Sequence, residues 1–312
     1  MNHFTHTAHL ETHTLSYALR GPPRHPGTPL ALILTGITSS ALEWSAVCRH
    51  LDTTIPILLY ERSGYGRSDP SPNPPSSLTI IDELNQLLTV ACLPPPYLVI
   101  GHSWGGILAR EFLAARPAGD ICGMVFVDAV QERMMFERWP DESIGAVTEG
   151  VEYMDVVRLA GDHALSEAEW GELMAEEGRE GYKMQAGLEL PFLQVSRGVL
   201  GRKGQLVPGG NVLGGRPVSV LRGNSKRDHE LLYEAGVARG NGTEEQRRRF
   251  REYLERWEEC EEEFQRELLN LSSVGRYSVT RRSGHNIQIT EPELVAEEVR
   301  WVLSAVRNVA LD

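Results

Sequence analysis

YLVIGHSWGGILAREFLAA, residues 97–115, joins a short apolar segment to an amphipathic one. The continuous apolar run 97–100 predicts a strand buried on both faces, and the later apolar residues recur at helical spacing. Between them lie Gly101, Ser103 and Gly105. A strand that turns directly into a helix strains the backbone of the serine, and a Cβ at either glycine would collide with neighbouring chain. The stretch therefore predicts a strand, a sharp turn with an exposed serine hydroxyl, and a helix.

Similar apolar runs surround this turn in the sequence. Residues 30–34, 55–59 and 123–127 each predict a buried strand, and 78–91 predicts a helix between two of them. Residues 3–19 alternate loosely and predict an opening strand pair. Strands that alternate with helices indicate a parallel α/β sheet.

Four pairs of residues have the spacing of a capping box, which marks the first turn of a helix. These pairs are Ser40 with Glu43, Ser166 with Glu169, Thr243 with Gln246, and Thr290 with Glu293. We predict a helix start at each pair.

The serine turn and the order of elements resemble those of the α/β-hydrolase family, and the resemblance covers residues 30–130 almost element by element. The loop 61–69 is similar to the family's Asp-Arg-x-Gly-x-Gly-x-Ser segment, with Glu61 in place of the aspartate. We interpret this loop as structural and predict that Arg62 pairs with a nearby carboxylate. The fold class implied is an α/β-hydrolase fold, a mostly parallel sheet flanked by helices.

Alternation stops between residues 131 and 215, which have helical character and carry five of the seven methionines. The resemblance implies a helical lid at this position, inserted between core segments 1–130 and 216–312. Methionine-rich helices adapt to irregular space, which suits a lid over an apolar pocket.

The resemblance also implies a catalytic triad. Ser103 is the predicted nucleophile, and His285, in a Ser-Gly-His-Asn segment after the last predicted strand, is the predicted base. Asp228 is the predicted acid because it gives the order Ser, Asp, His expected of this fold. It lies two residues further from its strand than the family usually places this aspartate. Asp128 and Glu230 are the alternatives.

An acyl-transfer intermediate needs two hydrogen-bond donors for its oxyanion. The resemblance implies that these are the backbone N–H groups of Trp104, directly after the serine, and Ile37, in the loop Thr35-Gly36-Ile37. His102 is interpreted as structural, because its side chain should point away from the nucleophile.

The charge and cysteine content of the chain limit the classes of partner and the compartment that we expect. A net charge of −12 over 312 residues argues against nucleic acid. The four cysteines are scattered, which favours free thiols in a reducing compartment. No signal-peptide core and no long apolar segment is evident. We expect a soluble cytoplasmic protein with a small-molecule substrate, no membrane span, no cofactor and no metal; the sequence does not indicate an oligomeric state.

A serine nucleophile excludes, by resemblance, the dehalogenases and epoxide hydrolases of this fold, which use aspartate. Hydrolysis of an ester, lactone, thioester or carbon–carbon bond remains. Our leading hypothesis is a carboxylic-ester hydrolase for a small or medium apolar substrate. The alternative from another class is a receptor or cyclisation catalyst that uses the same fold and pocket without hydrolysis.

Overall fold

A computed structural model describes residues 4–136 and 142–309. Within them one sheet holds eight strands in the order β1-β2-β4-β3-β5-β6-β7-β8. The first two strands form an antiparallel pair, β2 joins β4 antiparallel, and the remaining neighbours are parallel. The strands are β1 His6–His9, β2 Thr14–Arg20, β3 Leu30–Leu34, β4 Ile57–Tyr60, β5 Tyr97–His102, β6 Ile121–Val127, β7 Val218–Arg222 and β8 Gly275–Val279.

The described α-helices fall into core helices and helices that lie between β6 and β7. The core helices are α1 Ser45–Leu51, α2 Ser77–Val90, α3 Gly105–Ala115, α10 Ser225–Ala238, α11 Glu244–Glu267, α12 Ile287–Thr290 and α13 Pro292–Val309. The others are α4 Glu132–Phe136, α5 Glu142–Val147, α6 Tyr153–Val156, α7 Leu159–Asp162, α8 Glu167–Glu177 and α9 Glu180–Gly201. Short 3₁₀ turns cover 41–44, 118–120 and 268–271. None of the described helices is long and apolar enough to cross a bilayer.

Burial on both faces explains the unbroken apolar runs of the central strands. In β3, Leu30, Leu32 and Leu34 join the hydrophobic cluster that contains residues of α2 and α3. Ala31 and Ile33 point the other way, into the cluster that contains residues of α1 and α13. Because neither face meets water, no polar residue interrupts the strand. The predicted parallel α/β sheet and the opening strand pair are confirmed.

The helices α4–α9 lie within the segment for which a lid was predicted. They are called the lid below as a name for this segment, and a covering role stays a prediction. Residues 137–141, which include Trp139 of that segment, lie outside the described residues. The helical layer also extends past position 215: Ile144 and Val147 of α5 pack on Phe250 and Leu254 of α11. The long charged helix α11 therefore also has an apolar stripe, which packs on α5.

Three of the four predicted helix starts are confirmed, at Ser40, Ser166 and Thr243. Capping boxes form at Ser166 and at Thr243. At Ser40 the hydroxyl accepts from the N–H of Leu42 in a 3₁₀ turn, and Glu43 binds the side chain of Gln288 instead. The last helix starts at Pro292, while Thr290 ends α12. Ser40 thus caps a helix start without a complete capping box, whereas the cap predicted at Thr290 does not form, because its hydroxyl binds the Ser283 hydroxyl instead.

A buried ion pair fastens the lid to the core. Arg62 donates from Nε and Nη2 to the two carboxylate oxygens of Glu189 in α9, both at 2.9 Å. Both side chains are at most 3% exposed. Glu189 also accepts from the Tyr65 hydroxyl at 2.9 Å and from the Thr38 N–H at 3.0 Å. The carboxylate partner predicted for Arg62 is thus confirmed, and it comes from the lid.

Glu189→Ala should destabilise the protein by about 3–5 kcal/mol, because it leaves the Arg62 guanidinium buried without a counter-charge. The free energy of unfolding in urea, followed by circular dichroism, measures the loss. Glu180→Ala, on the same helix, is the matched control. The Glu180–Lys183 pair is solvent-exposed, so its loss should cost no more than about 1 kcal/mol. Equal effects of the two substitutions would contradict the anchoring role of Glu189.

Candidate active site

The serine turn has the strained geometry that the sequence predicts. Ser103 has a φ of +53° between β5 and α3. A Cβ on Gly101 would lie 2.5 Å from the carbonyl oxygen of Gly105, and one on Gly105 would lie 2.0 Å from that of Leu34. Only glycine fits both positions at this approach. Ser103 is 8% exposed and lines a cavity together with residues of α8 and α9.

His285 lies in the loop after β8 and lines the same cavity as Ser103. Its Nδ1 is 2.7 Å from Oδ2 of Asp128, the residue that directly follows β6. Asp128 is 3% exposed, and its other oxygen accepts from the N–H of Gly223 at 2.8 Å. Two neighbouring strand ends therefore hold this carboxylate against the imidazole.

The predicted role of Asp228 is corrected by these contacts. Asp228 lies in the first turn of α10, and its Oδ2 accepts from the main-chain N–H of His285 at 2.8 Å. The same oxygen accepts from the Tyr153 hydroxyl of the lid at 3.0 Å. Asp228 thus holds the main chain of the loop that carries His285. The imidazole ring of His285 instead contacts Asp128, which was one of the two alternatives left open by the sequence.

The carboxylate sets both the tautomer and the pKa of His285. Because a carboxylate only accepts, Nδ1 carries the proton, and Nε2 keeps its lone pair when the ring is neutral. Burial acts to lower the pKa of His285, but the hydrogen bond and the negative charge of Asp128 outweigh it and raise the pKa above the ordinary value. Asp128 thus stabilises the imidazolium form that His285 adopts after it accepts a proton.

The predicted oxyanion loop lies beside the serine. A Cβ on Gly36 would lie 3.2 Å from the Cβ of Ser103, and Arg62 donates to the Gly36 carbonyl at 2.9 Å. The N–H groups of Ile37 and Trp104 have no acceptor within the described part of the chain. Ile37 lines the cavity at Ser103, and Trp104 is fully buried directly after the serine.

The prediction that the His102 side chain points away from the nucleophile is wrong: the ring lines the cavity together with Ser103 and lies 4.7 Å, centroid to centroid, from the ring of His285. Its Nε2 lies 3.0 Å from the carbonyl oxygen of His285, which must accept, so Nε2 carries the proton and Nδ1 is a bare acceptor. Burial, followed by the charge of His285, lowers the pKa of His102 to about 3, so the ring is neutral.

The cavity at Ser103 has a volume of about 860 Å³. Sequence reasoning missed much of its lining, notably Glu43 from the core and Tyr153 and Glu177 from the lid. The sequence signal for a buried Glu43 was its position within the mostly apolar stretch Ala41 to Val47. The apolar part of the lining includes Ile37, Met154, Leu159, Trp170, Met174, Leu190 and Ile289.

The sequence of this chain is similar to those of known proteins. Residues 31–298 match the model of the alpha/beta hydrolase family. The chain belongs to the α/β-hydrolase family. An AB hydrolase superfamily protein of Gibberella zeae is 33% identical over 304 residues, which cover 94% of this α/β-hydrolase and 92% of that protein. The predicted family and fold class are thus confirmed.

Solved structures add the fold alone, because their sequences have diverged far from this α/β-hydrolase. A haloalkane dehalogenase from Bradyrhizobium elkani is 16% identical, with a TM-score of 0.60 and coverage of 96% of this chain and 97% of its own. An enol-lactonase from Burkholderia xenovorans is also 16% identical, with a TM-score of 0.56 and coverage of 96% and 99%. Since these two differ in reaction, fold similarity does not select a substrate for this chain.

Proposed function

We propose that this α/β-hydrolase cleaves a carboxylic ester or lactone through an acyl-enzyme on Ser103. The observation that carries the proposal is the 2.7 Å contact between His285 Nδ1 and buried Asp128, in the cavity that also holds the strained Ser103. An imidazole oriented by a carboxylate, in the cavity that also holds a serine hydroxyl, is the set of groups from which a serine nucleophile is built.

The reaction proceeds in two steps. Ser103 Oγ attacks the carbonyl carbon while Nε2 of His285 takes the hydroxyl proton, and Asp128 stabilises the resulting imidazolium. The tetrahedral oxyanion accepts from the N–H groups of Ile37 and Trp104. The intermediate then collapses, the C–O bond to the alcohol breaks, and His285 returns its proton to the leaving oxygen.

Water completes the cycle. His285 Nε2 removes a proton from a water molecule, which attacks the acyl carbon of the Ser103 ester. The second tetrahedral intermediate releases the acid and returns the proton to Ser103. For a lactone the alcohol stays attached to the acyl group, so the product is one hydroxy acid. The apolar lid and core residues around the cavity favour a small or medium substrate.

A fluorophosphonate probe combined with an ester panel tests this function. We expect the probe to modify the tryptic peptide that contains Ser103, and we expect turnover of p-nitrophenyl esters with a preference for one acyl length. Labelling is read by mass spectrometry and turnover by nitrophenolate release. Labelling without turnover of any ester or lactone would favour a receptor, and absence of both would contradict the proposal.

A further inference from the structure

The cavity around Ser103 has an acidic wall. Among the described residues that line it are four carboxylic acids, Glu43, Glu152, Asp155 and Glu177, and one amine, Lys183. The Lys183 side chain is 58% exposed and lies 3.4 Å from Glu180. Positive charge is therefore scarce at the substrate site, and an anionic substrate would meet repulsion.

Two of these acids come from different layers of the protein. Glu43 lies in the 3₁₀ turn after the oxyanion loop and is 6% exposed, whereas Glu177 is the last residue of α8 in the lid. The negative end of a helix dipole disfavours a carboxylate at that position. A carboxylate held at an unfavourable place beside a catalytic centre is typical of a binding role.

The pKa values of Glu43 and Glu177 are both raised, and the charge of Glu43 contributes to the shift of Glu177. Burial raises the pKa of Glu43 to about 7, against the hydrogen bonds from Gln288 and Ser39 and the charges of Arg62 and His285. Burial, and next the charge of Glu43, raises the pKa of Glu177 to about 8. Both acids are therefore largely protonated near pH 6 and largely ionised near pH 9. A bound cation would favour their ionised forms.

Three further side chains of the lining, His102, Tyr153 and Tyr182, offer no free donor to a substrate. His102 Nδ1 is buried without a partner, and its ring is neutral, so it only accepts. The hydroxyls of Tyr153 and Tyr182 are already bound to Asp228 and to the Thr38 carbonyl.

Three aromatic residues, Tyr153, Trp170 and Tyr182, contribute to the cavity lining. Aromatic rings together with carboxylates attract alkylammonium groups, through cation–π contact and Coulomb attraction. A purely apolar substrate would instead offer no counter-charge to either carboxylate.

We propose that the substrate of this cavity carries an alkylammonium group, held between Glu43 and Glu177 with the aromatic side chains around it. This inference rests on the proposed ester hydrolysis and specifies its substrate class. The positive charge lies in either the acyl or the alcohol part of the ester, and the contacts to the acid wall are the same for both.

Two matched pairs of esters test the proposal. The first pair is a choline ester and its uncharged isostere, in which a tert-butyl group replaces the trimethylammonium group. The second pair places the same two groups at the end of the acyl chain of a p-nitrophenyl ester, and a mono-p-nitrophenyl ester of a dicarboxylic acid supplies an anion of similar length. Each kcat/KM is divided by the rate constant of the same ester with hydroxide, which removes differences in intrinsic reactivity.

We expect the cationic member of at least one pair to be preferred by about tenfold or more near pH 9. The preference should fall near pH 6, where protonation neutralises Glu43 and Glu177, and the anionic ester should be the poorest substrate near pH 9. Titration of His285 affects all esters alike, so it cancels in the ratio. A quaternary ammonium group does not titrate, so a change in the ratio reports on the protein.

Substitution of the two cavity acids tests whether they cause the preference for a cationic ester. Glu43→Gln and Glu177→Gln should each lower the preference near pH 9, whereas Glu167→Gln should preserve it, since Glu167 is exposed on the same helix α8 and does not line the cavity. Ratios within about twofold of one for both pairs in the unmodified enzyme would overturn the proposal. So would a preference that survives both cavity substitutions. If neutral esters are hydrolysed without charge preference, only this inference fails; if no ester is hydrolysed, the proposed function fails with it.

Discussion

Ser103→Ala lowers kcat on any ester substrate by about 10⁶, the loss expected when a triad that acts as a unit loses its nucleophile. The residual rate, about 10³–10⁴ above the uncatalysed reaction, comes from the oxyanion donors and from substrate binding. Nitrophenolate release measures the loss, and labelling by the fluorophosphonate probe should disappear in parallel.

The control for this substitution is Ser304→Ala, on the exposed face of α13 and away from the cavity. It should leave turnover and labelling unchanged. Circular dichroism should show that both variants are folded, because alanine at position 103 removes a hydroxyl and leaves the backbone turn intact. Turnover of the Ser103→Ala variant within about tenfold of the unmodified enzyme would exclude Ser103 as the nucleophile.

Asp128→Asn should lower kcat by about 10⁴, because an amide oriented to accept from Gly223 no longer holds the Nδ1–H tautomer of His285. Asp228→Asn is the matched comparison. Its amide oxygen can still accept from the main-chain N–H of His285, so we expect a loss of no more than about tenfold. The opposite ranking of the two variants would restore the assignment of Asp228 as the orienting acid.

The pH profile gives a second readout of the same pair. Since the imidazole of His285 must be neutral to act as a base, kcat/KM rises with pH as the ring loses its proton. The contact with Asp128 raises the pKa of this ring, so the midpoint should lie above the ordinary value of about 6.5 for histidine. In Asp128→Asn the midpoint should move to lower pH. A midpoint that does not move would show that Asp128 is uncoupled from His285.

The sheet and the serine turn were predictable because local sequence determines them. Burial on both faces requires an unbroken apolar strand, as in Leu30–Leu34, and the close approach of Leu34 to position 105 requires a glycine there. These constraints act within a few residues or along one strand, so a single sequence displays them. The predictions of Ser103 as nucleophile, of His285 as base and of the loop with Ile37 follow from the same order of elements.

The acid could not be chosen from spacing. Asp128 and Asp228 both follow parallel strands at one edge of the sheet, and both reach His285, one through the ring and one through the main chain. The difference depends on the path of the loop after β7, where Gly223 donates to Asp128, and Asp228 lies in the first turn of α10. Such loop geometry depends on tertiary contacts that no spacing records.

The lid was predictable as a helical segment, but its contacts were not. Glu189 lies 127 residues from Arg62, and nothing in the sequence links the two. Glu43 and Glu177 reach one cavity only because α8 folds over the turn at 41–44. A charged residue in a helix usually marks a solvated face, so their burial is visible only in three dimensions.

The anchor between Arg62 and Glu189 has a consequence for recombination within the family. Glu189 binds Thr38 as well as Arg62, and Arg62 binds the carbonyl of Gly36. The lid therefore supplies part of the support of the oxyanion loop. A chimaera that receives another family member's lid without an equivalent carboxylate would lose that support and its rate, whatever substrate the new lid prefers. Lids can be exchanged productively in this protein only when the donor segment carries an acid in register with position 189.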